Sequence, residues 1–162
     1  MTGTDKALAK FANAHRARAG TMAGLRELAS AVADKMPLRS EGNAAMLGAA
    51  ETFGGKIVSA RDQVHVFIAC CRHLGIPARF VSGYVHTSNV TPNGFIAGHA
   101  WAEAWISDQW RGFNLANSSA KGKAYLALSV GADYLDACPI RGVRVGGGIE
   151  TMRAEARVTV EQ

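Results

Sequence analysis

The chain of 162 residues is poor in cysteine, proline and aromatics, with three Cys, four Pro, and Phe, Trp and Tyr together at 7%. Three is an odd number, and Cys70 and Cys71 are sequence neighbours that cannot easily bridge to each other, so no disulfide framework is expected. Nowhere do about 18 uncharged apolar residues run together, and charges interrupt the first twenty. The expectation is a cytoplasmic chain with neither a membrane span nor a signal peptide. Metal spacings are missing too: His65, His73, His86 and His99 fall in no HExxH or CxxC pattern, and Cys70 with His73 offers two ligands without a second pair. There is no Asp-rich calcium loop, and Gly146 to Gly148 lacks the Lys-Ser/Thr of a phosphate loop, so no metal and no cofactor are expected. Lys and Arg exceed Asp and Glu by 18 to 13, a net +5, but they are scattered and not interleaved with stacking aromatics. No nucleic-acid partner is expected from that distribution.

What is present is material for one core. Hydrophobic residues make up 48% and charged residues 19%, and a chain of this length buries roughly 70% of the surface it exposes unfolded. The expectation is a single domain over 1–162, with 1–22, rich in Ala, Lys and Arg, as a peripheral arm. Leu25, Leu28, Ala29, Val32 and Met36 follow helical spacing until Pro37 stops them. A short helix is expected over Asn43 to Thr52, broken by Gly54-Gly55. Arg61 to Leu74 is apolar nearly all round and closes on Gly75-Ile76-Pro77, which predicts a buried, core-spanning helix. Beyond Pro77 short β-rich runs take over at Arg79–Val85, His99–Ile106 and Gln109–Leu115, with a turn at Pro92-Asn93-Gly94 and a last alternating run at Thr151–Val160. Helices first and antiparallel strands afterwards make an α+β domain.

Two residues in the β half have the chemistry of a site. His99 opens a strand whose alternate residues are Ala and Trp, where an imidazole can serve as a general base. Asn114 ends the neighbouring strand, where a side-chain amide can orient that imidazole. Taken singly, such a His is more often structural, and a strand-end or turn Asn explains Asn114 equally well.

Three stretches add specificity: DQVHVFIACCRHLGIPARFVSGYV, GHAWAEAWISDQWRGFNLAN and VGADYLDACPIRGVRVGGG. Together they resemble the bacterial transglutaminase-like family, with its cysteine motif, LGIPARYVSGY-type strand, HAW strand, GWxGFDPTN strand and DYxDxxPVRG segment in the same order over about residues 43 to 162. The resemblance implies a papain-like core, in which a helix with a nucleophilic Cys at its N-terminus packs on an antiparallel sheet that carries His and Asp. It implies His99 as the base, Asn114 where the family has Asp, and Tyr84 and Trp101 as substrate-binding residues. It also implies a peptide or protein substrate whose amide is transferred to water or to an amine through a thioester.

The nucleophile position itself falls on Ala60, and a methyl group cannot attack a carbonyl. Cys70 and Cys71 lie ten and eleven residues further on, about 15 Å along a helix axis, and read as buried structural thiols. Ser59 is one residue out of register, rotated about 100°. Cys138 has no histidine motif beside it. Ala60 therefore reads as a replaced cysteine in a hydrolase or acyltransferase, with a nucleophile-less peptide-binding module as the alternative. The persistence of His99, the GHAW strand and Asp62 favours the first reading, and Asn114 favours the second.

Overall fold

The computed structural model describes residues 1–38, 47–55, 58–86, 98–116, 124–138 and 145–148. Helix α1, Lys6–Ala14, starts where the Asp5 carboxylate accepts the Leu8 N–H at 2.8 Å. Leu8 and Ala12 on its inner face are fully buried, and Phe11 packs its ring on Phe53 at 5.1 Å. Within the segment 1–22, expected as a peripheral arm, two turns of apolar spacing set Leu8 and Ala12 of α1 in the core. Helix α2, Met22–Lys35, is capped by Thr21, buries Leu25, Leu28 and Val32, and stops ahead of Pro37 as its sequence requires. Helix α3 is the single turn Ala49–Thr52, inside the short helix expected from Asn43; residues 43–46 lie outside the described residues.

The long apolar run forms α4, Ala60–His73, and both of its ends are closed by local hydrogen bonding. At the start, Ser59 and Asp62 make a capping box: the Ser59 hydroxyl accepts the Asp62 N–H, and the Asp62 carboxylate accepts the Ser59 N–H at 2.9 Å and its hydroxyl proton at 2.7 Å. At the end, Gly75 takes φ +82°, its N–H reaches the Arg72 carbonyl, and the Ile76 N–H reaches the Cys71 carbonyl. That pair of bonds is a Schellman motif, which needs a residue tolerant of positive φ. Between the caps, Asp62 through Cys71 are all buried.

Four strands follow: β1 Ala78–His86, β2 Gly98–Ile106, β3 Gln109–Phe113 and β4 Ala124–Gly131, all paired antiparallel in the order β3-β2-β1-β4. The expected antiparallel neighbours are there. β4 was not expected, and the expected turn at 92–94 and run at 151–160 lie outside the described residues. Side chains alternate across the sheet. Phe80, Ala102, Ala104 and Phe113 face α4, where Phe67 meets Phe113 at 5.0 Å and His65 meets Phe80 at 5.2 Å. Arg79, Val81, Gly83, His99, Trp101 and Glu103 lie on the other face, where Arg79 pairs with Glu103 at 2.7 Å and covers the Trp110 ring.

One side chain draws distant segments together. The Arg72 guanidinium, at the end of α4, donates to the Ala78 carbonyl, the Ala132 carbonyl and the Thr2 hydroxyl. The DYLD segment is a turn built on its own carboxylates: Asp133 accepts the Leu135 and Asp136 N–H groups, and Asp136 accepts the Ala132 N–H. No helix among the described residues is long and apolar enough to cross a membrane.

Candidate active site

Topology brings three of the expected site residues, His99, Trp101 and Asn114, to one end of the sheet. Helix α4 turns back through Gly75 into β1, so its first residue lies toward the far end of β1. Ala60 is five residues before His65, about 7.5 Å along the axis at ~1.5 Å per residue. His65 stands over Phe80, and at ~3.3 Å per strand residue the same distance leads from Phe80 to about Ser82–Gly83. Those two residues pair with Ala100 and His99 of β2. Ala60 opens the helix and His99 is the second residue of its strand, and both are half-buried.

His99 belongs to an aromatic cluster. Its ring lies 6.3 Å from that of Trp101, nearly parallel at 25°, and 6.3 Å from that of Tyr125 on β4, while Trp101 and Tyr125 meet edge-on at 5.4 Å. The register makes this arrangement: Gly83 sits between His99 of β2 and Ala127 of β4, and β4 shifts its pairing between Ser82 and Gly83. A Cβ at position 83 would stand 2.1 Å from the Leu126 carbonyl oxygen and 2.9 Å from the Trp101 ring, so the bulge and the Trp101 seat both need glycine there.

Asn114 directly follows β3 beside this cluster. The amide expected to orient His99 donates instead to the Tyr125 hydroxyl at 3.0 Å, and its carbonyl oxygen is buried without a hydrogen-bond partner among the described residues. The structure thus brings His99, Trp101 and Asn114 together around Tyr125, a residue sequence reasoning missed because β4 went unrecognised. The signal was the apolar run Ala124 to Leu128, followed by Ser129-Val130, between Gly122 and Gly131. Tyr84 does not join them; alternation sets it with Phe80 and Ser82 on the α4 face, opposite Gly98.

A cleft of about 750 Å³ opens beside the cluster, between the outer side of α2 and the ends of β3 and β4. Its aromatic wall is Trp101, Phe113 and Tyr125, and its helical wall carries Ala29, Ser30 and Ala33.

The thiols are placed for packing. Burial pushes the Cys70 thiol up to about 12, and burial also raises that of Cys71. Ser59 is engaged through its hydroxyl proton to Asp62 and is spoken for as a cap.

Comparison with known proteins places this geometry. Residues 9–115 match the sequence profile of the transglutaminase-like superfamily. An uncharacterized protein of Mycobacterium leprae is 30% identical over 102 residues, 61% of this chain and 36% of the relative. Uncharacterized proteins of Mycobacterium tuberculosis and Mycobacterium bovis are each 31% identical over 128 residues, 74% of this chain and 41% of the relative. The chain thus spans well under half the length of these curated relatives. Among solved structures, a proposed cysteine protease from Cytophaga hutchinsonii shares the fold at a TM-score of 0.60 with 22% identity, covering 83% of this chain and 50% of its own.

Proposed function

Since this chain belongs to the transglutaminase-like superfamily, we propose that its α4 terminus and the neighbouring cleft form a papain-like acyl-transfer site for peptide or protein amides, with Ala60 in the nucleophile's place. The observation that supports the reading is the packing of α4, which Ala60 opens, against β2, which carries His99 as its second residue. With a cysteine at position 60, two features favour its thiolate: the dipole of a helix start and an imidazolium at His99. Asp62 works against them, although its carboxylate is held within the capping box.

The chemistry then runs in two steps. The thiolate sulfur attacks the amide carbonyl, the C–N bond breaks, and the leaving amine takes the proton held on His99. Water or an amine next gives its proton to His99 and attacks the thioester carbonyl, the C–S bond breaks, and an acid or a new amide leaves while the thiolate is restored. Tyr125, with Asn114 behind it, supports the His99 ring in this arrangement.

As the chain stands, its activity is binding, because Ala60 has no nucleophilic atom. A binding module in its own right is the second reading, favoured by the Asn114 amide being committed to Tyr125. Ala60→Cys decides between them. Under the acyl-transfer reading the new thiol alkylates with iodoacetamide at least tenfold faster than Cys70, Cys71 or Cys138, and at a pH below the ~8.5 of a free thiol. Adding His99→Ala removes most of that excess. Labelling at position 60 no faster than at the buried cysteines sinks the activated-nucleophile site and leaves the binding module.

A further inference from the structure

The outer side of α2 is a wall of the cleft, and it closes on a carboxylate that helix stability does not call for. Arg26, Ala29, Ser30, Ala33 and Asp34 follow the spacing of a single helix face, and all of them line the cleft. The middle of that face is small, which lets an extended backbone approach the aromatic wall of Trp101 and Tyr125. Its ends carry opposite charges, and among the described residues neither Arg26 nor Asp34 makes an ion pair or a side-chain hydrogen bond. The other charged side chain of the cleft, Glu103, is held by Arg79 at 2.7 Å. Asp34 also stands in the last turn of α2, where the negative end of the helix dipole disfavours a carboxylate. A charge set against its local rule, at the mouth of a cleft, marks a functional placement.

We infer that this wall selects an extended peptide bearing an acidic side chain against Arg26 and a basic one against Asp34. The spacing follows from geometry. Eight helix residues separate the two charges by about 12 Å, and four residues of extended peptide cover about 13 Å with both side chains on one side. The matching sequence therefore carries its acid and its base at positions i and i+4. This deepens the reading of the cleft as a peptide site and rests on it.

The test uses the chain with Ala60 in place, so it asks nothing of the nucleophile. Three fluorescein-labelled, end-blocked decapeptides of Gly, Ser and Tyr carry two charged residues four apart: Glu with Lys, Glu with Glu, and Lys with Lys. Fluorescence anisotropy at low ionic strength should rank the Glu/Lys peptide roughly threefold to tenfold tighter than either like-charged one, the range for two exposed pairs. Arg26→Glu should turn the preference to Lys/Lys, and Asp34→Lys should turn it to Glu/Glu. Both side chains are exposed, and an unchanged circular-dichroism melt shows that the fold is kept. A ranking that ignores both reversals overturns the proposal, and so does the absence of binding by all three peptides. Rapid alkylation of Ala60→Cys together with an unchanged ranking would leave the acyl-transfer site standing and remove only the charge selection. Slow alkylation with the rankings reversed as stated would do the opposite.

Discussion

Burying an imidazole favours its neutral form, and His65, with 0% of its surface exposed, is held to a pKa of about 4. Burial dominates over Asp133 and Asp62, whose charges pull the other way. The Tyr134 N–H donates to Nε2 at 3.1 Å, which leaves the proton on Nδ1. In the unfolded chain the same ring has its ordinary value of 6.5. Between those values the unfolded state binds the extra proton, so acidification from about pH 6.5 to pH 4 draws the equilibrium toward unfolding and the loss is complete below pH 4. The shift corresponds to about 3 kcal/mol. His65→Gln, which keeps an acceptor for Tyr134 and does not titrate, should lose that much less stability than the wild type between pH 7 and pH 4 in urea titrations. Equal losses in the two proteins would show that His65 is not the group responsible. Nothing in the sequence around His65 announces this; the histidine sits in an apolar run, and only its burial against Phe80 gives it a role in stability.

Among the elements, α2 and α4 were legible because their signals are local: helical spacing, Pro37 after the one, Gly75 after the other. Their N-caps, Thr21 and Ser59, act in the same local way. β4 was not legible, because Tyr125 to Leu128 reads as a continuous apolar run instead of an alternating one. Its position explains the pattern: as the sheet's end strand beside β1, it leaves Leu126, Leu128 and Val130 each more than two-fifths exposed. The bulge opposite Gly83 depends on both strands and so escapes any reading of one. Gly83→Ala should lower stability by about 1–3 kcal/mol, seen as a lower urea midpoint. Gly98→Ala, where an added Cβ meets nothing within 4 Å, serves as the control and should stay near wild type. Equal midpoints for the two variants would mean that the β1–β4 pairing yields to the methyl group at little cost.

At the scale of the whole molecule, the α+β arrangement and the nearness of positions 99 and 114 could be read from ordered motifs. What those motifs did not reveal was the company the residues keep: Tyr125 between His99 and Asn114, α1 inside the core, and the DYLD segment as a self-closing turn. Each depends on contacts between segments far apart in the chain, to which local patterning is blind. The Arg72 guanidinium is the extreme case, since it joins Thr2, Ala78 and Ala132 in one cluster of bonds. Segments 60 to 70 positions away must already be in place before those bonds can close, so the clasp belongs after the folding barrier and before the native state. It then governs how long the protein stays folded and has little bearing on how fast it gets there. Arg72→Met should raise the unfolding rate in stopped-flow denaturant jumps by roughly tenfold or more, the scale of hydrogen bonds from a charged donor, with refolding nearly unchanged. A matching fall in the refolding rate would put the clasp in the nucleus, and the N-terminal segment would then be among the first parts of the chain to find its place.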